Sequence, residues 1–114
     1  MANKELYRDS TSTGLSQMDI QKIQATFAQF PTVEQAWLYG SRVKGSFRPY
    51  SDIDLSLTGN GLDKKTLHRI ESALDDLLLP YFFDVNIFQK IDNEQLKVHI
   101  DNSGILLYDQ RLPR

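Results

Sequence analysis

The chain contains no cysteine, which excludes disulfide bonds and thiolate metal sites and fits a reducing compartment. No run approaches the roughly 18 apolar residues of a membrane span, and the first residues lack the apolar core of a signal peptide. Histidine occurs only as His68 and His99, with no second His or Cys at ligand spacing. We therefore expect a cytoplasmic protein, with both histidines on the surface and without a metal or catalytic role.

Positive charge is not in excess, because 13 Lys and Arg face 15 Asp and Glu, for a formal net charge of -2. This balance argues against a protein that binds nucleic acid by bulk electrostatics, so any contact with phosphate must be local. At 114 residues the chain suits a single domain. We expect residues 1–13, which are polar and rich in Ser and Thr, to form a flexible arm, and residues 14–114 to form the domain.

One stretch, residues 40–57, concentrates the candidate chemistry and reads GSRVKGSFRPYSDIDLSL. It begins with Gly40 and Ser41 directly after an apolar run. A strand that ends in such a pair and turns into a short helix aims backbone N–H groups at an anion. Arg42 and Lys44 follow with no acid between them, so the pattern predicts a phosphate-binding turn.

Asp52 and Asp54 lie two residues apart in a predicted strand at residues 52–57. Because strand side chains alternate, both carboxylates face one side, with Cα atoms about 6 to 7 Å apart. They can converge on one hard cation or two, and magnesium takes such oxygen ligands together with substrate phosphates. An ordinary turn followed by a strand would leave Asp54 unexplained, since Asp is depleted in strand interiors.

Hydrophobic periodicity predicts an α/β (α+β) fold, with a small mixed β-sheet and helices mainly on one face. Three longer helices are predicted with Ser16, Asp63 and Asp92 as N-caps, and Gly104 is predicted to close the last one in a left-handed conformation. Strands are predicted at residues 34–39, 52–57, 81–88 and 105–108. The first two strands should be antiparallel neighbours, whereas a crossover helix should make the second and third parallel.

Asp84 is a third carboxylate inside a predicted strand. Its apolar neighbours alternate to the opposite face, so Asp84 would meet Asp52 and Asp54 if its strand lies beside theirs. Considered alone, Asp84 would be interpreted as a polar residue at a sheet edge whose hydrogen bonds are satisfied. Three carboxylates near a phosphate-binding turn match two-metal catalysis, in which ions about 3.5 to 4 Å apart stabilise the entering and leaving oxygens.

The segment GSRVKGSFRPYSDIDL resembles the GSxxxGxxxxxSDxDL signature of the polymerase-beta-like nucleotidyltransferases, and most closely the minimal nucleotidyltransferase (MNT) proteins. The resemblance implies that fold, and transfer of a nucleoside monophosphate, expected to be AMP from ATP, to an acceptor hydroxyl. In this scheme Asp52 and Asp54 bridge two Mg²⁺ ions. Asp84 binds one of the ions and helps to deprotonate the acceptor.

The remaining candidate residues would bind the nucleoside triphosphate. Gly40 and Ser41 are expected to hold the β and γ phosphates, with Ser51 as a further contact. Lys44 and Arg42 are expected to offset the charge that develops on the leaving pyrophosphate.

The resemblance also implies a partner, since MNT proteins are commonly paired, as antitoxin to toxin, with a small helical HEPN-type protein. Some of them transfer AMP to a tyrosine of that partner. We expect the partner to supply the surface that holds the acceptor, because few residues follow the last predicted strand. We also expect it to be encoded in the adjacent gene. Phe82, Phe88 and the arm are candidate contacts. Two alternatives remain open at this stage, a catalytically inert partner-binding module of the same fold and a phosphorylatable receiver-like domain.

Overall fold

The computed structural model describes residues 12–114. Its elements are α1 (Gln17–Phe27), β1 (Gln35–Tyr39), α2 (Ser41–Lys44), β2 (Ile53–Thr58), α3 (Lys64–Asp75), β3 (Phe83–Ile87), α4 (Glu94–Ser103) and β4 (Ile105–Asp109). A short 3-10 turn, Phe88–Lys90, connects β3 to α4. Residues 1–11 of the predicted arm lie outside the described residues, whereas Thr13 is completely buried. Within the described part, no helix is long and apolar enough to cross a membrane.

The four strands form one mixed sheet in the order β3-β2-β1-β4. Strand β1 is antiparallel to both β2 and β4, and β3 is parallel to β2. Helix α3 lies between β2 and β3 in the chain, as a parallel connection requires. The predicted strand directions are therefore confirmed, and the start of β2 lies next to the start of β3.

The two faces of the sheet are covered differently. Helices α1 and α3 pack on the first face, where Phe27 and Leu74 join the strand residues Leu38 and Leu55 in the main core. Helix α4 packs on the second face, in a smaller cluster of Trp37, Tyr39, Ile100 and Leu106. Since side chains alternate along a strand, the polar residues of β2 and β3 lie on the same face as α4.

The helix N-caps agree with the sequence prediction at two of three positions. The Ser16 side chain accepts a hydrogen bond from Asp19 N at 3.0 Å, and the Asp63 side chain accepts one from Thr66 N at 2.8 Å. The prediction of Asp92 for α4 is wrong, because Asn93 Oδ1 accepts from the backbone of the third following residue at 3.1 Å. Asp and Asn cap helices about equally well, so the sequence does not decide between neighbours.

Gly104 allows close packing at the end of α4, and the prediction of a left-handed conformation for it is wrong. Its φ of -60° and ψ of 143° are extended rather than left-handed. Its N–H donates to Ile100 O at 2.8 Å, and a Cβ would overlap that same oxygen and touch the Trp37 ring. Glycine here allows the end of α4 to approach the sheet closely.

Candidate active site

The predicted turn is present at the end of β1, and its role in phosphate binding stays a prediction. Gly40 adopts φ 82° and ψ -147°, and its carbonyl accepts hydrogen bonds from Val43 N and Lys44 N, both at 3.1 Å. Gly45 ends α2 in the left-handed conformation. The first N–H groups of a helix have no acceptor within the helix, so this turn presents donors to an anion.

The turn lies directly against Asp54. Tyr39 pairs with Asp54 across the antiparallel ladder, which places the Asp54 side chain beside the following residue, Gly40. A Cβ at Gly40 would overlap Asp54 Oδ2. The turn and a carboxylate therefore occupy one site, and a site that holds a phosphate and a cation together needs this arrangement.

The three predicted carboxylates lie close enough to interact. Asp54 and Asp84 are register partners in the parallel ladder of β2 and β3, and Asp52 precedes β2 directly. Burial, followed by the negative charges of Asp84 and Asp52, raises the pKa of Asp54 to about 6. Asp54 is partly buried, whereas Asp52 and Asp84 are exposed.

The donor set matches magnesium in its chemistry, although the side chains stand apart. Among residues 12–114, no three His, Cys, Asp or Glu side chains are grouped closely enough to hold a metal ion. Asp52 and Asp84 are exposed, so neighbouring residues do not enclose their carboxylates. Burial and the neighbouring carboxylates raise the pKa of Asp54, and a cation there would favour its ionised form. Carboxylate oxygens are the ligands that Mg²⁺ prefers.

A chain of hydrogen bonds supports the carboxylates from the same face of the sheet. Ser56 Oγ donates to Asn86 Oδ1 at 2.7 Å, and Asn86 Nδ2 donates to the Tyr39 hydroxyl at 2.7 Å. Burial, together with the charges of Asp84 and Asp54, raises the pKa of Tyr39 to about 12, so the phenol stays neutral. The sequence prediction missed this support. Its only signal was that Ser56 and Asn86 follow Asp54 and Asp84 by two residues and so share their face.

Arg42 does not occupy the predicted position near a triphosphate. Its side chain is 1% exposed, and its guanidinium donates to Thr13 O and Ser51 O at 2.8 Å and to Pro49 O at 3.3 Å. Two rings lie over it, those of Phe47 and Tyr81, at 5.2 and 4.9 Å. Arg42 holds the loop before β2 in place, because its donors fit carbonyls of separate segments.

Ser51 and Lys44 differ in what they contact. Ser51 Oγ accepts from Arg48 N at 2.7 Å, and the Ser51 carbonyl accepts from Arg42, so this residue closes the loop that leads to Asp52. Lys44 is exposed at the end of α2, on the side where its charge acts on His99. Lys44 is thus the exposed cation of α2, whereas Arg42 is a buried one.

The predicted surface position is confirmed for His68 and wrong for His99. The His68 side chain is 78% exposed on α3. His99 is partly buried on α4, where its Nε2 accepts a hydrogen bond from Gly40 N at 3.2 Å and its ring meets the Tyr39 ring edge to face at 6.3 Å. A single His on an amphipathic helix gives no sequence signal for this contact, because it depends on how α4 crosses the sheet.

Comparison with known proteins agrees with this geometry. A family model described as "Polymerase beta, Nucleotidyltransferase" matches residues 21–111. A protein of Haemophilus influenzae named "Probable protein adenylyltransferase MntA" is 30% identical over 79 residues, which cover 64% of this chain and 69% of the relative. The receiver-like alternative is therefore wrong.

Solved structures share the fold at lower sequence identity. A toxin–antitoxin crystal structure with AMP-PNP superposes with a TM-score of 0.66 at 21% identity, covering 79% of this chain and 73% of that one. An MntA–HepT toxin–antitoxin structure gives 0.63 at 18% identity, covering 84% and 74%. A tri-AMPylated HEPN toxin of Shewanella oneidensis in complex with an MNT antitoxin gives 0.62 at 18% identity, covering 83% and 73%. With its signature in this geometry and a family match over most of its length, the chain belongs to the polymerase beta nucleotidyltransferases, in their minimal nucleotidyltransferase branch.

Proposed function

We propose that this protein transfers AMP from ATP, with magnesium, to a hydroxyl of a HEPN-type partner protein, as the antitoxin of a toxin–antitoxin pair. The observation that carries the proposal is the contact of Gly40 with Asp54, whose register partner is Asp84. It joins a phosphate-binding turn to a carboxylate pair in one site. The relative named a protein adenylyltransferase and the complexes of MNT antitoxins with HEPN toxins support the choice of substrate and partner.

Each group of the site has a distinct task in this proposal. The backbone donor and hydroxyl of Ser41 bind the outer phosphates of ATP, Gly40 lets the backbone approach them closely, and Lys44 offsets charge on the leaving pyrophosphate. Asp52, Asp54 and Asp84 would hold magnesium, which stabilises the entering and leaving oxygens of an in-line displacement. Arg42 is not among the proposed phosphate contacts, because its guanidinium already donates hydrogen bonds to backbone carbonyl groups.

The transfer itself forms one bond and breaks one. The acceptor oxygen attacks the α phosphorus, the bond to the β phosphate oxygen breaks, and pyrophosphate leaves. In this proposal the carboxylate of Asp84 takes the proton of the attacking hydroxyl, and its exposed position beside Asp54 supports that role.

The acceptor is proposed to be a tyrosine of a HEPN-type protein encoded next to this one. Phe82, which is 79% exposed, is a proposed contact, because its carbonyl accepts from Ile53 N at 2.9 Å beside the carboxylates. Phe88, the other predicted contact, is partly buried against the Trp37 cluster, so less of its side chain can contact a partner. The arm, residues 1–13, stays a proposed contact, and residues 1–11 of it lie outside the described residues.

Co-expression with the neighbouring HEPN-type protein tests this function. After purification, ATP and magnesium are added, and the intact mass of each chain is measured. We expect the two chains to co-purify and the partner to gain whole AMP units, whereas the Asp54→Asn variant should bind the partner and add no mass. A wild-type chain that forms no complex and modifies nothing would contradict the proposal.

One observation favours a second candidate, an inert partner-binding module. The carboxylates of the described residues are not grouped as metal ligands in this conformation. An inert module would bind the partner but show no magnesium-dependent binding of ATP. Calorimetric titration of ATP, with and without magnesium, separates the two candidates.

A further inference from the structure

Helix α4 brings one polar side chain to the phosphate-binding turn. Ile100 is completely buried and joins Trp37 in the cluster that fixes α4 on the sheet. The preceding residue, His99, is thereby held beside the end of β1, and its Nε2 accepts from Gly40 N at 3.2 Å. The ring also meets Tyr39, the last residue of β1, so the imidazole contacts both sides of the strand-to-turn junction.

Gly40 needs such a contact more than an ordinary residue would. Its φ of 82° and ψ of -147° are open only to glycine, and glycine has the largest conformational freedom to lose when a turn becomes ordered. A hydrogen bond to its N–H fixes the direction of that peptide group. The donors of the following residue, Ser41, then keep one orientation at the start of α2.

We infer that His99 is a positioning residue for triphosphate binding, which holds the Gly40 peptide so that Ser41 faces the phosphates. The inference rests on the proposed function and assigns a new residue to the same site. To accept at Nε2 the ring must be neutral, with its proton on Nδ1. Burial and the nearby charge of Lys44 both lower the pKa of His99, which agrees with a neutral acceptor.

Two substitutions at His99 and one at His68 test the inference through kinetics. His99→Ala removes the acceptor, so we expect KM for ATP to rise about threefold to tenfold, as the loss of one hydrogen bond predicts, with kcat close to wild type. His99→Gln supplies an amide oxygen that can accept from Gly40 N–H, so its KM should return most of the way to the wild-type value. His68→Gln, at an exposed site on α3, is the matched control and should change neither constant.

A second measurement does not depend on turnover. In the His68→Gln background, ¹⁵N labelling of histidine reports His99 alone, and its nitrogen shifts should show Nδ1 protonated and Nε2 unprotonated. Calorimetric titration with magnesium and AMP-PNP should show the same order of affinity as the kinetics, with wild type and His99→Gln tighter than His99→Ala. A proton on Nε2, or equal affinity of the three proteins, would overturn the inference.

The outcomes separate the inference from the function on which it rests. If the wild type transfers no AMP but binds AMP-PNP in a His99-dependent way, the proposed function is wrong and the positioning role holds. If the wild type transfers AMP and His99→Ala keeps the wild-type KM, the positioning role is wrong and the function holds. If His99→Ala fails to fold, the His99→Gln affinity and the nitrogen shifts still decide the question.

Discussion

The carboxylate of Asp54 lies against Gly40, at a point where any side chain on that residue would overlap Oδ2. Gly40, directly after β1, and Asp54, in the neighbouring antiparallel strand β2, therefore share one space, with the proposed anion-binding turn on one side and the proposed cation ligand on the other. A change in either residue should act on both functions.

Gly40→Ala tests this contact. The substitution places a Cβ in the space of Asp54 Oδ2 and forces a non-glycine residue into a glycine-only conformation, so we expect a loss of about 1 to 3 kcal/mol in unfolding free energy. Triphosphate binding should be lost as well. Denaturant unfolding and calorimetric titration measure the two effects.

Gly45→Ala is the control, because Gly45 also has φ 82° but a Cβ there meets nothing within 4 Å. Its left-handed conformation should cost only about 1 kcal/mol and leave binding intact. If Gly40→Ala still binds ATP as well as this control does, the shared-space account is wrong. Asp54→Ala should relieve part of the Gly40→Ala loss, since it removes the overlapping oxygen.

The raised pKa of Asp54 predicts a pH-dependent gain in stability on substitution by Asn. Ionisation of a group with a folded pKa of about 6, against an ordinary value of 3.8, disfavours the folded state. The protonated Asp54 therefore contributes to the free energy of unfolding below the ordinary pKa, and this contribution is lost as pH rises through about 6. In metal-free buffer, Asp54→Asn should raise Tm at about pH 7.5 and change it little at about pH 3.5. A Tm difference that is equal at both pH values would contradict this origin of the shift.

Asp84→Asn should separate turnover from nucleotide binding. Because the proposed role of Asp84 is on the acceptor side, we expect AMP transfer to fall by about 10² or more while ATP affinity stays near wild type. Asp52→Asn, at the other exposed carboxylate, should weaken magnesium-dependent ATP binding as well. Titration calorimetry and intact-mass kinetics compare the two, and an equal loss of ATP affinity would remove Asp84 from its assigned role.

Substitution of Arg42 should mainly lower stability, whereas substitution of Lys44 should mainly weaken ATP binding, although both residues lie on α2. Arg42→Ala leaves buried carbonyls without their donor, so we expect unfolding free energy to fall by at least about 2 kcal/mol. Lys44→Ala removes an exposed charge, which should change stability by no more than about 0.5 kcal/mol but weaken ATP binding. A stable Arg42→Ala protein with weak ATP binding would support the sequence prediction that Arg42 acts on the triphosphate.

The strands and the shared face of the carboxylates could be predicted because both follow from alternation. Ile53 and Leu55 had to face the core, which left Asp54 on the other side, and the same pattern in β3 placed Asp84 there. The crossover helix then fixed the parallel direction, which brought the two residues into register. These relations depend on local periodicity and on one rule of chain connection.

The roles of Arg42 and His99 could not be predicted in this way. Arg42 and Lys44 lie two residues apart in the sequence, and only the path of the loop before β2 decides which of the two turns inward. His99 meets Gly40 because α4 crosses the second face of the sheet at a particular angle. Both contacts depend on tertiary packing, which no spacing of residue types records.

The position of β3 at the outside of the sheet has a consequence for folding. The contact of Gly40 with Asp54 requires only that β1 and β2 pair, and a short connection joins these two strands. Asp84 reaches Asp54 only after α3 has connected β2 to β3 and β3 has paired at the edge of the sheet. Contacts of greater sequence separation carry a larger loop-closure cost and form more slowly. Detachment of β3 alone would leave a chain that retains the turn and Asp54 but lacks the third carboxylate. Local opening at this edge would therefore separate the proposed nucleotide capture from the proposed AMP transfer.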